Sequence, residues 1–199
     1  MRAAIAILPI AGWQALFAQS PAALPGCEPR PEVRQILEEK LSDKTLQEMK
    51  FAERVAFRRQ TLDDLIAMYP REVEPYRRLI RATKEEDTDR YPALVEGYRK
   101  QAEQHPDDPL ALYVAGLALS GIDTPQSIRC LEMARAEAPD FVWPALELAQ
   151  VFRQTIFGTL LMWSLYGDAS LAERIEQAME ILWMGIAPRE PVTTGSPQS

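Results

Sequence analysis

The residues best suited to chemistry are few in this sequence and lie far apart. His105 is the only histidine in 199 residues, and Cys27 and Cys130 are the only cysteines. His105 precedes Pro106, where a helix is expected to end, and no nucleophile is placed with it. Interaction with the C-terminal helix dipole therefore explains His105 better than catalysis. One histidine and two distant cysteines cannot supply ordinary zinc ligation, so we expect no metal site and no cofactor.

An acidic cluster is the other candidate for chemistry, formed by Glu85, Glu86, Asp87 and Asp89. Carboxylates bind hard cations, but the cluster lacks the spacing and the central glycine of a calcium loop. A solvated turn is the simpler interpretation. No H-E-x-x-H, C-x-x-C, G-x-S-x-G or phosphate-binding glycine pattern occurs in the chain. The sequence therefore predicts a protein that is not an enzyme.

The composition predicts a helical globular protein. The chain is 47% hydrophobic and 26% charged, and its 16 prolines concentrate at the edges of segments. Glycine and β-branched residues are few, which favours helices over strands and predicts an all-α class. The net charge of −7 disfavours nucleic acid as a partner, because neutralising phosphates requires a basic surface.

The first 19 residues have the pattern of a secretory signal. Arg2 precedes an apolar run from Ala3 to Ala18, and this run is shorter than the roughly 20 residues of a membrane span. An N-terminal core or anchoring helix is the alternative. A signal predicts export to the periplasm or secretion. Residues 20–31 then read as a proline-rich linker, and residues 188–199 as a disordered tail.

Helices are predicted throughout residues 32–187. Glu32–Leu41 is a short amphipathic helix, and Thr45 with Glu48 forms a capping box for a helix that reaches Tyr69, or that breaks at Gln60–Thr61. Three arginines of that helix are interpreted as a solvated face: Arg54, Arg58 and Arg59.

Two further helices are indicated between Pro106 and Pro139. Leu112, Ala115, Gly116 and Leu119 recur at helical spacing in the first. Thr124 and Pro125 predict the N-cap and first turn of the second, which carries Ser127 and Leu131 and ends near Pro139. This pattern resembles a tetratricopeptide repeat, in which a helix with W-x2-L-G-x2-Y packs on one with A-x3-F and a proline closes the unit. The resemblance implies that Gly116 lets the two helices approach closely.

The closing prolines recur near the period of that family. Pro70 and Pro106 are 36 residues apart, and Pro106 and Pro139 are 33 apart, around the family's period of 34. The clearest repeats are then residues 73–106 and 109–139, and another begins at residue 142. The resemblance implies antiparallel helix pairs stacked as a short solenoid, with a C-terminal capping helix that starts at the box Ser170 and Glu173.

The same resemblance implies a binding groove along the first helix of each repeat. Its partner would be a protein or an extended peptide with an acidic end, because arginine matches carboxylates. The positions that this register assigns to the groove are Arg77, Arg81, Tyr113, Leu117, Leu146, Gln150 and Arg153.

Residues 156–166 are nearly all apolar and fall outside the repeat pattern. The segment is too short to span a bilayer, so we expect it to be buried or to face a partner, which includes an oligomer of this chain.

Function is predicted as a non-catalytic protein-binding scaffold. The alternative is a helical accessory part of an envelope thioredoxin-like redox system, because similar repeats accompany such domains in exported bacterial proteins. Export would also allow a bridge between Cys27 and Cys130, although Cys130 can equally act as a small buried hydrophobe.

Overall fold

The structure is a computed structural model that describes residues 26, 28–166 and 170–186, with side chains up to residue 180. The described chain contains helices and no strand, so the all-α class is confirmed. The helices are α1 Pro31–Lys40, α2 Asp43–Gln47, α3 Phe51–Met68, α4 Val73–Glu86, α5 Tyr91–Gln104, α6 Pro109–Leu119, α7 Thr124–Glu137, α8 Val142–Tyr166 and α9 Leu171–Ile186. The predicted signal, most of the linker, Cys27 and the tail lie outside the described residues.

The chain divides into two compact units, and the boundary falls inside α5, between Leu94 and Val95. The first unit contains α1 to α4, and the second contains α6 to α9.

The start of the first unit differs from the sequence prediction. The N-cap there is Ser42, whose hydroxyl accepts a hydrogen bond from the Thr45 amide at 3.3 Å. Ser42 begins the short helix α2, and this helix ends at Gln47, before α3 starts at Phe51. The prediction of a cap at Thr45 was therefore wrong: the N-cap is Ser42, three residues earlier, and its hydroxyl satisfies one free amide of the first turn, that of Thr45. The alternative break at Gln60–Thr61 is also absent, since α3 runs through it.

A buried carboxylate connects the segment before α1 to the start of α4. Glu72, the N-cap residue of α4, is only 3% exposed. Its carboxylate lies 2.9 Å from Nε of Arg30 and accepts a weaker hydrogen bond from the Arg30 amide at 3.4 Å. These two contacts offset the loss of hydration that the buried charge suffers.

Helices α3 and α4 pack together, and two arginines of α3 pair with acids at the end of α4. Arg58 pairs with Glu86, and Arg59 lies 3.3 Å from Asp87. The interpretation of Arg58 and Arg59 as a solvated face was wrong. Of the four acids interpreted as a solvated turn, Glu86 and Asp87 instead contact α3, whereas Glu85 and Asp89 are exposed as expected.

The second unit is built on the pair α6 and α7. A Cβ added at Gly116 of α6 would lie 2.8 Å from Cγ of Leu131 and 3.1 Å from the carbonyl oxygen of Ser127, both on α7. The Ser127 hydroxyl donates a buried hydrogen bond to the Gly116 carbonyl at 2.6 Å. The expected close approach at Gly116 is therefore confirmed. Helix α7 starts one residue earlier than predicted, because Asp123 caps it through the Gln126 amide.

Helices α8 and α9 complete the second unit, and both pack on α7 and on each other. The capping box of α9 is confirmed: the Ser170 amide donates to the Glu173 carboxylate at 3.0 Å, and the Glu173 amide donates to the Ser170 hydroxyl at 3.2 Å. Helix α8 is continuous for 25 residues, so it carries both the start of the predicted third repeat and the apolar segment that follows. Of the helices described, none has the length and apolar character needed to cross a membrane.

Candidate protein-binding face

The repeat register assigned Tyr113 and Leu117 of helix α6 to the groove, but the structure buries this helix almost completely. Tyr113 is 0% exposed, and Leu117 is half-buried. The Tyr113 ring meets the Phe141 ring edge to face, with centroids 5.4 Å apart. A partner cannot contact Tyr113 without displacing these neighbours. Tyr113 is therefore corrected from a groove residue to a core residue, because α6 is apolar on nearly every side and such helices are buried.

A polar contact joins α6 to α8 beside this core. The Tyr113 hydroxyl donates to the Glu147 carboxylate at 3.4 Å, across a separation of 34 residues. This contact places two chain positions that are one repeat period apart next to each other. The role of Glu147 was missed in the sequence, although its 34-residue distance from Tyr113 was a signal that could have indicated it.

The predicted residues on α8 remain accessible. Leu146 is 54% exposed, Arg153 is exposed, and Gln150 is half-buried. Successive separations of four and three residues place all three on one side of the helix. An Arg153 Nη donates to the Gln150 amide oxygen, so the two polar side chains are held together. We call Leu146, Gln150 and Arg153 the α8 face; it offers an apolar side chain beside a cation and an amide.

The predicted arginines of α4 lie in the first unit. Arg81 is exposed, whereas Arg77 is half-buried and lies 3.5 Å from Glu74. Arg77 is thus engaged by an acid one turn earlier on the same helix, and of the two, Arg81 offers the more accessible charge. Whether these arginines act together with the α8 face stays a prediction.

An open depression also occurs in the first unit. It is lined by apolar residues of α3, including exposed Phe51 and half-buried Val55, and its polar edge consists of Arg59 and the acids Glu86 and Asp87. Because Arg59 already pairs with Asp87, the charges at this edge largely satisfy each other. The depression therefore does not present the charge expected of a site for a strongly ionic ligand.

Cys130 lies half-buried on α7, and burial raises the pKa of its thiol above the ordinary value. A raised pKa keeps the thiol protonated, whereas reactive cysteines have lowered pKa values and act as thiolates. This environment disfavours redox chemistry at Cys130. Since Cys27 is outside the described residues, the bridge between the two cysteines stays a prediction. Within the part of the chain that the structure describes, no group of three or more His, Cys, Asp or Glu could hold a metal ion.

Exposed apolar side chains dominate the C-terminal half of α8. All six residues from Leu161 to Tyr166 are exposed, and so is Phe157. These residues belong to the segment that the sequence predicted to be buried or to face a partner. Among the described residues, other parts of the chain leave most of its surface exposed.

Comparison with protein-family models, with curated proteins and with solved structures finds no match to this chain.

Proposed function

We propose that this chain is a non-catalytic scaffold in the exported space, built from tetratricopeptide-like helix pairs, that binds a protein or an extended peptide. The observation that carries the proposal is the arrangement of α6, α7 and α8. Gly116 permits close packing of α6 on α7, and Tyr113 contacts Glu147 one repeat period further along the chain. In a solenoid of such repeats, the first helices of successive repeats are neighbours, as α6 and α8 are here.

The proposed contact surface is the α8 face rather than a groove centred on Tyr113. Leu146 supplies exposed apolar area, while Arg153 and Gln150 supply hydrogen-bond donors. Arginine matches carboxylates in geometry and charge, which supports a partner that carries acidic residues beside an apolar anchor. Arg81 provides an additional exposed cation in the first unit.

The test is capture of partners from the exported fraction, followed by titration of each purified partner against variants of the chain. Leu146→Asp should weaken binding by about 1 kcal/mol or more, as loss of an apolar anchor does. Arg153→Glu should also weaken binding, and its effect should shrink at high salt, because exposed charges are screened.

Matched controls lie on α7 of the same unit. Met133→Asp changes an exposed apolar residue, and Arg135→Glu changes an exposed arginine. Both should leave binding within about 0.5 kcal/mol of the unchanged chain. If the partner instead tolerates the changes at Leu146 and Arg153 but is lost when Trp163 or Leu165 is changed, the α8 face is not the binding surface.

A further inference from the structure

The end of α8 is an apolar surface without charge. We call residues 156–166 the α8 tip; no Asp, Glu, Lys or Arg occurs from Gln154 to Tyr166. In the last six residues, Leu161 to Tyr166, side chains on every side of the helix are exposed. A helix that is apolar all round is normally buried in a protein core or a membrane. We therefore expect another molecule to cover the exposed α8 tip.

The exposed apolar area of the α8 tip approaches that of a standard interface. Phe157, Trp163 and Tyr166 are 65%, 38% and 67% exposed. At about 150–250 Å² for each aromatic side chain, these three offer roughly 300 Å². Leu161, Met162 and Leu165, each exposed by half or more, add area of the same order. The α8 tip thus presents on the order of 600 Å², which reaches the upper range for the largest patch on a monomer and approaches the roughly 800 Å² per partner of a standard interface.

The charges around the α8 tip disfavour a lipid surface. Helices that lie on membranes carry Lys and Arg on their polar side and are attracted to anionic lipids. The neighbouring helix α9 instead exposes Glu173, Glu176 and Glu180, and the chain has a net charge of −7. An anionic bilayer would repel this end of the unit.

A second copy of the chain fits the same surface. An isologous contact brings identical patches together, so a charge near the two-fold axis would face its own copy, and the α8 tip carries no charge that could do so. Aromatic residues and methionine are enriched, and charged residues depleted, in the cores of such interfaces. We propose that the α8 tip is a homodimer interface, in which the tips of two chains pack against each other. The proposal does not depend on what the α8 face binds.

Sedimentation of the whole chain over a wide concentration range tests the proposal. The unchanged protein should approach twice its chain mass of 22.5 kDa. Phe157→Glu and Leu165→Glu should each raise the dimer dissociation constant roughly tenfold or more, because each would bury an unpaired carboxylate. Both sites are exposed in the single chain, so circular dichroism should show unchanged helix content. A chain that stays monomeric, or variants that dimerise as well as the unchanged protein, would overturn the proposal.

Matched controls place the same substitution at apolar residues of comparable exposure elsewhere. Ile122→Glu in the α6–α7 turn and Met68→Glu at the end of α3 change residues that are each 57% exposed. Dimerisation should persist in both. Equal loss of the dimer in these controls and in the tip variants would assign the effect to added charge alone and overturn the proposal.

Two further measurements distinguish a second copy from other occupants. Leu161 lies at the middle of the α8 tip, so an isologous contact centred on the tip would bring it near the two-fold axis. Leu161→Glu and Leu161→Lys should each dimerise poorly alone and recover when mixed; no recovery would overturn the isologous contact. Vesicles of phosphatidylcholine with phosphatidylglycerol should not bind the chain. Binding that Phe157→Glu abolishes, with no dimer in solution, would assign the α8 tip to lipid instead.

Discussion

Gly116 shows how one missing side chain controls the packing of two helices. Its Cα faces α7 so closely that an added Cβ would lie 2.8 Å from Cγ of Leu131, and Leu131 is fully buried. Leu131 cannot move away without disturbing its own neighbours, because protein interiors are close-packed. By contrast, a Cβ added at Gly97 of α5 would meet nothing within 4 Å.

We therefore predict opposite effects of the same substitution at these two glycines. Gly97→Ala should raise the free energy of unfolding by up to about 1 kcal/mol, since alanine favours helix. Gly116→Ala should lower it by about 1 kcal/mol or more, and Gly116→Leu further still, because overpacking forces neighbours to shift. Urea denaturation measures both. Similar midpoints for Gly97→Ala and Gly116→Ala would contradict the close contact between α6 and α7.

Asp63 on α3 gives a prediction for the pH dependence of stability. Burial raises the pKa of this carboxyl above its ordinary value of 3.8, against the opposing attraction of Arg59. The folded state therefore holds the proton more tightly than the unfolded chain. Stability falls as the pH rises from the ordinary value through the raised folded value, because the carboxylate must then ionise in a poorly hydrated position.

Asp63→Asn removes this ionisation and nearly preserves the shape of the side chain. Its urea midpoint should exceed that of the unchanged protein near pH 7, and the difference should disappear below the ordinary pKa of 3.8. Parallel titrations over that pH range provide the measurement. An advantage of the variant that increases on acidification would have the wrong sign for a raised pKa at Asp63.

At the scale of elements, the contact between Arg30 and Glu72 attaches the segment before α1 to the start of α4. Removing the arginine leaves a carboxylate that is 3% exposed without its strongest partner. Arg30 itself is largely exposed, so solvent screens part of the interaction. We expect Arg30→Ala to lower the free energy of unfolding by about 1–2 kcal/mol, through the uncompensated burial of Glu72.

The matched control is Arg34→Ala, in the first turn of α1. Arg34 pairs with Glu28 at 2.6 Å, but both side chains are exposed, so this change should lower stability by no more than about 0.5 kcal/mol. Thermal or urea unfolding of the two variants decides between them. If Arg30→Ala and Arg34→Ala lower the free energy of unfolding equally, the burial of Glu72 does not strengthen its contact with Arg30.

At the scale of the whole molecule, the outstanding prediction is export. The apolar run after Arg2 predicts removal of the first 18 or 19 residues. Intact-mass measurement of material from the exported fraction should show the shortened chain. Leu8→Arg, which places a charge inside the apolar run, should prevent this processing, whereas Arg34→Glu in α1 should not. Soluble protein that retains Met1 would contradict the prediction.

Local signals in the sequence predicted where the helices lie, but not which residues of different helices contact each other. The amphipathic pattern of α1 and the capping box of α9 involve residues within a few positions of each other, so the sequence displays the whole interaction. The pairing of Arg58 with Glu86 spans 28 residues, and nothing near either residue indicates the other. A run of arginines on one side of α3 was therefore interpreted as solvated, although α4 covers part of it.

Tyr113 and Leu146 show that the sequence did not determine which of the predicted groove residues are exposed. The repeat register assigns both to the groove, in successive repeats, yet Tyr113 is 0% exposed and Leu146 is 54% exposed. Periodicity determines which side of a helix a residue occupies, because this depends only on 3.6 residues per turn. Whether that side is covered depends on segments distant in the chain: Phe141 and Glu147 contact Tyr113 because α8 packs beside α6. The sequence alone determined the helical class, and its resemblance to a repeat family predicted the close contact at Gly116. Only the tertiary structure decided which surface remains open to a partner.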